Sequence, residues 1–173
     1  MIDTEVVRLR NLRNVALRAR AFARVLGKPT ADGAVFARSA VICWTIARIA
    51  TGRLRAHPYL SYQQGPSRLR DLVDRSMASV VAFGARRSGR SATVYIEELQ
   101  RVARAVDDAR ALTWSAEFSD ALGRTQVQLR RLTQELDGRA QHESGTVREF
   151  QVEVTAAALQ EIAVESNWPY LAI

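Results

Sequence analysis

Residues 9–26 read LRNLRNVALRARAFARVL. Leu9, Leu12, Ala16, Ala19, Ala23 and Leu26 recur in it at 3,4,3,4,3 spacing, which sets all six on one face of an α-helix. Asp3 supplies a capping oxygen, and Gly27 with Pro29 supplies the stop, so the spacing predicts a first helix over about residues 4–26. The helical period continues along the chain. A second helix is expected from Thr30 or Asp32 to Thr51, ending at Gly52. It is apolar around most of its circumference and is therefore expected at the centre of the fold. Ser67 caps a third, with Leu69, Leu72, Val73, Val80 and Phe83 facing inward, and GARRSGRS at 84–91 reads as a basic, flexible linker. A fourth covers about 92–113, with Leu99, Val102, Val106 and Ala109 inside. Ser115 caps a fifth, which carries Phe118, Leu122, Leu129 and Leu132 as far as Gly138. Thr146 and Glu149 have capping-box spacing for a sixth, carrying Phe150, Val154, Ala157 and Ile162. No alternating segment is long enough to demand a sheet. The expectation is an all-α bundle of five or six helices in one domain over 1–173. It has a basic loop between helices 2 and 3 and an apolar C-terminal tail, NWPYLAI, at 167–173.

At 173 residues the chain is long enough to bury a real core. Its formal charge is +7, and Lys28 is the only lysine among 25 basic residues. Arginine presents a planar fork that pairs with phosphate and stacks on bases. A G+C-rich genome raises arginine over lysine too, but it does not decide where the charge sits. Residues 1–95 carry 17 basic and 5 acidic side chains; residues 96–173 carry 8 and 13. A balance of +12 against −5 suggests one half that faces a polyanion. It also suits copies stacked head to tail. Cys43 is the single cysteine and lies in an apolar run, so an intrachain disulfide is excluded and a buried thiol is expected.

The opening MIDTEVVRLR lacks the apolar run of a secretory signal. The most apolar segment, AVFARSAVICWTIARIA at 34–50, is interrupted by Arg38 and Arg48. A central arginine costs roughly 2.5–3.5 kcal/mol on membrane insertion. A buried helix, no membrane partner and a cytoplasmic location are expected. Catalytic motifs are missing. Gly27-Lys28-Pro29 fails the phosphate-binding loop, no Gly-x-Ser-x-Gly elbow exists, and His142-Glu143 begins a zinc-protease signature that no second His completes. Neither His57 nor His142 has an arginine at the spacing that small helical ribonucleases use. The pairs Glu97-Glu98 and Asp107-Asp108 read as solvated helix faces. No metal, no cofactor and no enzymatic activity are expected.

The basic features point to nucleic acid. Arg10, Arg13, Arg20 and Arg24 follow the apolar seam displaced by one residue, a stripe able to track a phosphate backbone. RLRAHPYLSYQQGPSRLR at 53–70 sets Arg53, Arg55, Arg68 and Arg70 around Tyr59 and Tyr62 without an acidic residue. Arginine there supplies counterion release and tyrosine a stacking surface. Arg86, Arg87 and Arg90 follow in the linker. His57 reads as structural or surface-exposed.

Size, helical pattern, arginine dominance and missing catalytic residues together resemble the small subunit of multi-subunit CRISPR effector complexes. The resemblance is architectural, covers the whole chain and carries no functional residue across. It implies a helical bundle that lines a complex spine and contacts nucleic-acid backbone without cutting it. The expected function is thus a non-catalytic subunit of a ribonucleoprotein that binds RNA or single-stranded DNA without sequence specificity, beside other subunits. A helical scaffold for an acidic protein and a DNA-binding regulator with one helix in the major groove are the alternatives.

Overall fold

The computed structural model describes residues 4–27, 33–56, 67–112 and 115–143, with the backbone alone for 67–71 and 112. Helix α1 (Thr4–Leu26) buries the expected six-residue seam and adds Val6 and Phe22 to it. It is followed by α2 (Gly33–Arg55), α3 (Ser67–Arg87), α4 (Ser91–Leu112) and α5 (Ala116–Ala140), with no strand among the described residues. Ser115 caps α5 as expected, accepting from the Phe118 amide at 3.3 Å. The expected sixth helix and the tail at 167–173 lie outside the described residues.

Four helices form a ring in which α1 meets α2, α2 meets α5, α5 meets α4, and α4 returns to α1. Neighbours in the ring are antiparallel. Gly27 lies against Phe36 and Ala37 at one end of the α1–α2 pair, and Glu5 binds Arg53 at the other. Arg18 reaches Glu98, and Arg8 donates to the Asp108 carbonyl ten residues further along α4. Helix α3 stands outside the ring, against α1 and more lightly α4. It runs parallel to α1: Asn14 and Leu17 share a crevice with Asp74 and Arg75, and Leu26 shares another with Arg86.

Three expectations need correction. Among the described residues α1 and α4 each pack on three helices, whereas α2 packs mainly on α1 and α5 and reaches α4 through Phe36 and Ser39 against Tyr95, so the most apolar of the described helices is not the most enclosed one. Val41 and Trp44 of α2 consequently face outward, 65% and 42% exposed. On α3 the buried positions are Ala78, Val80, Ala82 and Ala85, while Val73 and Phe83 are outside. Alanines let α3 lie close to α1, an approach that bulkier side chains would hold apart. The expected linker at 84–91 is mostly helix. Residues 84–87 belong to α3, and the turn is only Ser88, Gly89 and Arg90, closed by Gly89 in the left-handed region at φ 70°.

Glu98, expected on a solvated face, is turned inward and 6% exposed. Arg18 grips it with two parallel bonds of 3.2 Å, and Arg101 adds a third at 3.0 Å. This fixes the register of α4 on α1. Removing one partner of a buried ion pair costs about 3–5 kcal/mol. Because Arg18 retains some exposure and Arg101 remains, Arg18→Ala should lie near 3 kcal/mol on that scale, read from urea unfolding. Arg18→Met combined with Glu98→Leu should recover most of that stability, since an apolar replacement leaves no unpaired charge.

Candidate nucleic-acid interface

Helix α2 contains no acidic residue, and Glu5 is the only one in α1. Ten arginines lie on these two helices, and the structure divides them by task. Arg18 binds Glu98, Arg38 binds Glu135 at 2.8 Å, Arg53 binds Glu5 at 3.0 Å, and Arg8 donates to a carbonyl. Arg13, Arg24, Arg48 and Arg55 make no ion pair with any described residue. Arg10 has an interaction of its own and is not one of this free set.

The free arginines converge on one face. Arg13, Arg20 and Arg24 fall at i, i+7 and i+11 on α1, one stripe of its surface. Val41, Trp44, Arg48 and Arg55 fall at i, i+3, i+7 and i+14 on α2 and are all exposed. The two stripes meet where the Arg20 guanidinium lies over the Trp44 ring, 4.3 Å from its centroid. The antiparallel pairing then puts Arg24 towards the Val41 end of the α2 stripe and Arg13 towards its Arg48 end. From Val41 to Arg55 the stripe runs roughly 21 Å at 1.5 Å per residue.

Of the expected loop cluster, only Arg53 and Arg55 have side chains among the described residues. Arg53 and Arg55 stand in the last turn of α2, not in a loop, and the Arg53 guanidinium is paired with Glu5. Arg68 and Arg70 lie in the first turn of α3, and their side chains, like His57, Tyr59 and Tyr62, are outside the described residues. Arg86 and Arg87 end α3 at the opposite end of the bundle, about 30 Å from the start of that helix. Chain order suggests one basic cluster; the structure separates it into two. Arg86 there joins Arg139, His142 and Glu143 around an open crevice of about 430 Å³. Glu143 is committed within it: its carboxylate accepts from the amides of Ala92 and Thr93 at 2.6 and 2.8 Å and from the Thr93 hydroxyl. Glu143 is therefore the clasp that closes the start of α4.

Sequence reasoning missed Trp44 and Val41. The signal was there: Arg48 and Arg55 are two helical turns apart and mark the solvent side of α2, with Trp44 one turn before Arg48. It also missed Tyr95, which lies at the centre of the bundle, fully buried. Its ring stacks on Phe22 at 5.5 Å and meets Phe36 edge-on. Its hydroxyl contacts the Ser39 hydroxyl, the Ala19 carbonyl and, at 4.0 Å, the Cys43 sulfur. Burial pushes the Cys43 thiol up to about 12 and the Tyr95 phenol well above its ordinary value. A sealed thiol held in that state is no nucleophile. Among the described residues no group of three or more His, Cys, Asp or Glu side chains comes together as a metal site. Helix α2 is long and apolar enough to cross a membrane by composition, and part of it packs into this core.

Comparison with protein-family models, with curated proteins and with solved structures finds no match to this chain.

The sealed thiol has two consequences for measurement. Cys43 should resist thiol reagents in the folded protein and react on denaturation. A raised folded-state pKa makes the protonated form the stabilised one, so its contribution is complete below the unfolded value of 9.0 and declines from there towards about 12. Stability should therefore fall above pH 9, and Cys43→Ala should flatten that fall. A native Cys43 that reacts as fast as a free thiol would contradict the burial.

Proposed function

We propose that this chain is a non-catalytic nucleic-acid-binding protein that holds phosphate backbone on the α1–α2 face. The observation that carries the reading is the set Arg13, Arg24, Arg48 and Arg55 on a face whose two helices carry one carboxylate, itself occupied by Arg53. Counterion release by such a set supplies affinity without reading base edges. The architectural resemblance to small CRISPR effector subunits is consistent with this role and extends it to a place beside other subunits of a ribonucleoprotein. Head-to-tail copies remain part of the same proposal.

A salt titration tests the reading. The variant with Arg13, Arg24, Arg48 and Arg55 all changed to Ala should bind RNA and DNA oligomers more weakly, whatever their sequence. Its slope of log K against log salt should shrink by about 0.7–0.9 for each phosphate that is no longer neutralised. Unchanged affinity and slope, or wild-type binding to polyglutamate in place of nucleic acid, would overturn it and favour a scaffold for an acidic protein.

A further inference from the structure

The largest apolar side chain of α2, Trp44, lies on its outer surface together with Val41. Trp44 is 42% and Val41 65% exposed, one helical turn apart, in the most apolar helix of the chain. Folding does not require this arrangement: the core of α2 is already supplied by Val35, Phe36, Cys43, Ile46 and Leu54. Single exposed apolar residues are ordinary. Here, however, a tryptophan stands among cations. Arg20 lies on its ring, Arg48 follows one turn later on the same stripe, and Arg13 and Arg24 stand on the facing stripe of α1.

Resting on the nucleic-acid reading above, we infer that Trp44 is a stacking platform for an unpaired base, so that the face selects single strands over duplexes. The chemistry follows from the arrangement. A duplex presents phosphates alone to a convex helical surface, because its bases are stacked on one another and closed to a protruding ring. A single strand presents phosphates and free base faces together. Arginines on both sides of one indole satisfy both needs, and any base serves, since each has a π-face. The guanidinium of Arg20 holds the ring in place before binding, which reduces the side-chain entropy given up when a base settles on it. Val41, one turn away, offers the sugar and base edge an apolar contact. An acidic protein fits less well: it would need no aromatic surface and would be served by the arginines alone.

The test uses the full chain with four labelled probes: a 12-nucleotide single strand, the same strand with abasic sites, a duplex of that sequence, and a polyglutamate peptide. Base stacking contributes about 1–3 kcal/mol per base, so Trp44→Ala should lower single-strand affinity roughly 5- to 150-fold. Duplex and abasic affinities should change less than about twofold, and Trp44→Phe should restore most of the single-strand affinity. The wild type should prefer the base-bearing strand to the abasic one, and Trp44→Ala should not. If Trp44→Ala weakens all nucleic-acid probes equally, or still discriminates against the abasic strand, the platform is wrong while the phosphate-binding reading stands. If the wild type binds no nucleic-acid probe, both fall. Equal urea midpoints for wild type and Trp44→Phe show that the comparison concerns binding and not folding.

Discussion

Helix α1 has to satisfy three neighbours, and the remaining architecture follows from how it does so. Its buried face runs from Val6 to Leu26 and includes Ala16, Ala19 and Ala23 where the packing is closest. Small residues at those positions let α2, α4 and α3 approach the same cylinder. A helix so surrounded keeps limited surface for solvent: Thr4, Val7 and Asn11 are exposed near its start, and a separate strip lies further along. On α1 that strip carries Arg13, Arg20 and Arg24, and the Arg20–Trp44 contact joins it to the outward stripe of α2.

The charge asymmetry of the sequence also gains a physical meaning. Part of the acidic half works inside the molecule: Glu98 of α4 takes Arg18, and Glu135 of α5 takes Arg38 and Arg139. These pairs differ in weight. The Glu98 pair is nearly sealed, whereas Arg38 and Glu135 are 58% and 37% exposed and contribute little to stability. What remains on α1 and α2 after these neutralisations is a smaller, better-defined set of cations than the raw excess of basic residues implies.

How much of this was legible in the sequence depends on the kind of signal. The bounds of α1 and the start of α5 were readable, because a seam of regular spacing and a capping serine act locally. The burial of Cys43 was readable for the same reason. Two assignments failed on neighbours, not on period. In α3 the hydrophobic side chains of Val73 and Phe83 point to the wrong inward face, because a helix lying close to α1 buries Ala78, Ala82 and Ala85. In α2 a nearly all-round apolar surface suggests a central helix, yet centrality is decided by how the other helices arrive, and among the described ones α1 and α5 supply most of its packing. Trp44 was overlooked as part of that second error. The separation of Arg86 and Arg87 from Arg53 and Arg55 was likewise invisible, since the length of α3 between them matters only once its direction is known.

The preference for arginine over lysine can be argued from particular contacts. Arg18 uses two nitrogens of its fork on both oxygens of Glu98, which a single ammonium does not reproduce. Arg110 spreads its donors between the Ser119 hydroxyl at 3.2 Å and the Gln126 amide oxygen. It lies flat against α5 because position 123 is glycine: a Cβ there would come within 3.2 Å of the guanidinium. Arg20 uses the planar face of its group on an indole. In these three places flatness or multiple donors do the binding, so genome composition alone is an insufficient account of them. At Arg13, Arg24, Arg48 and Arg55 no described partner makes that demand. A phosphate accepts either cation there, as a fork or as a point charge. Arginine is thus required where it builds the scaffold and sets the tryptophan, and it is sufficient, without being required, where it meets a backbone.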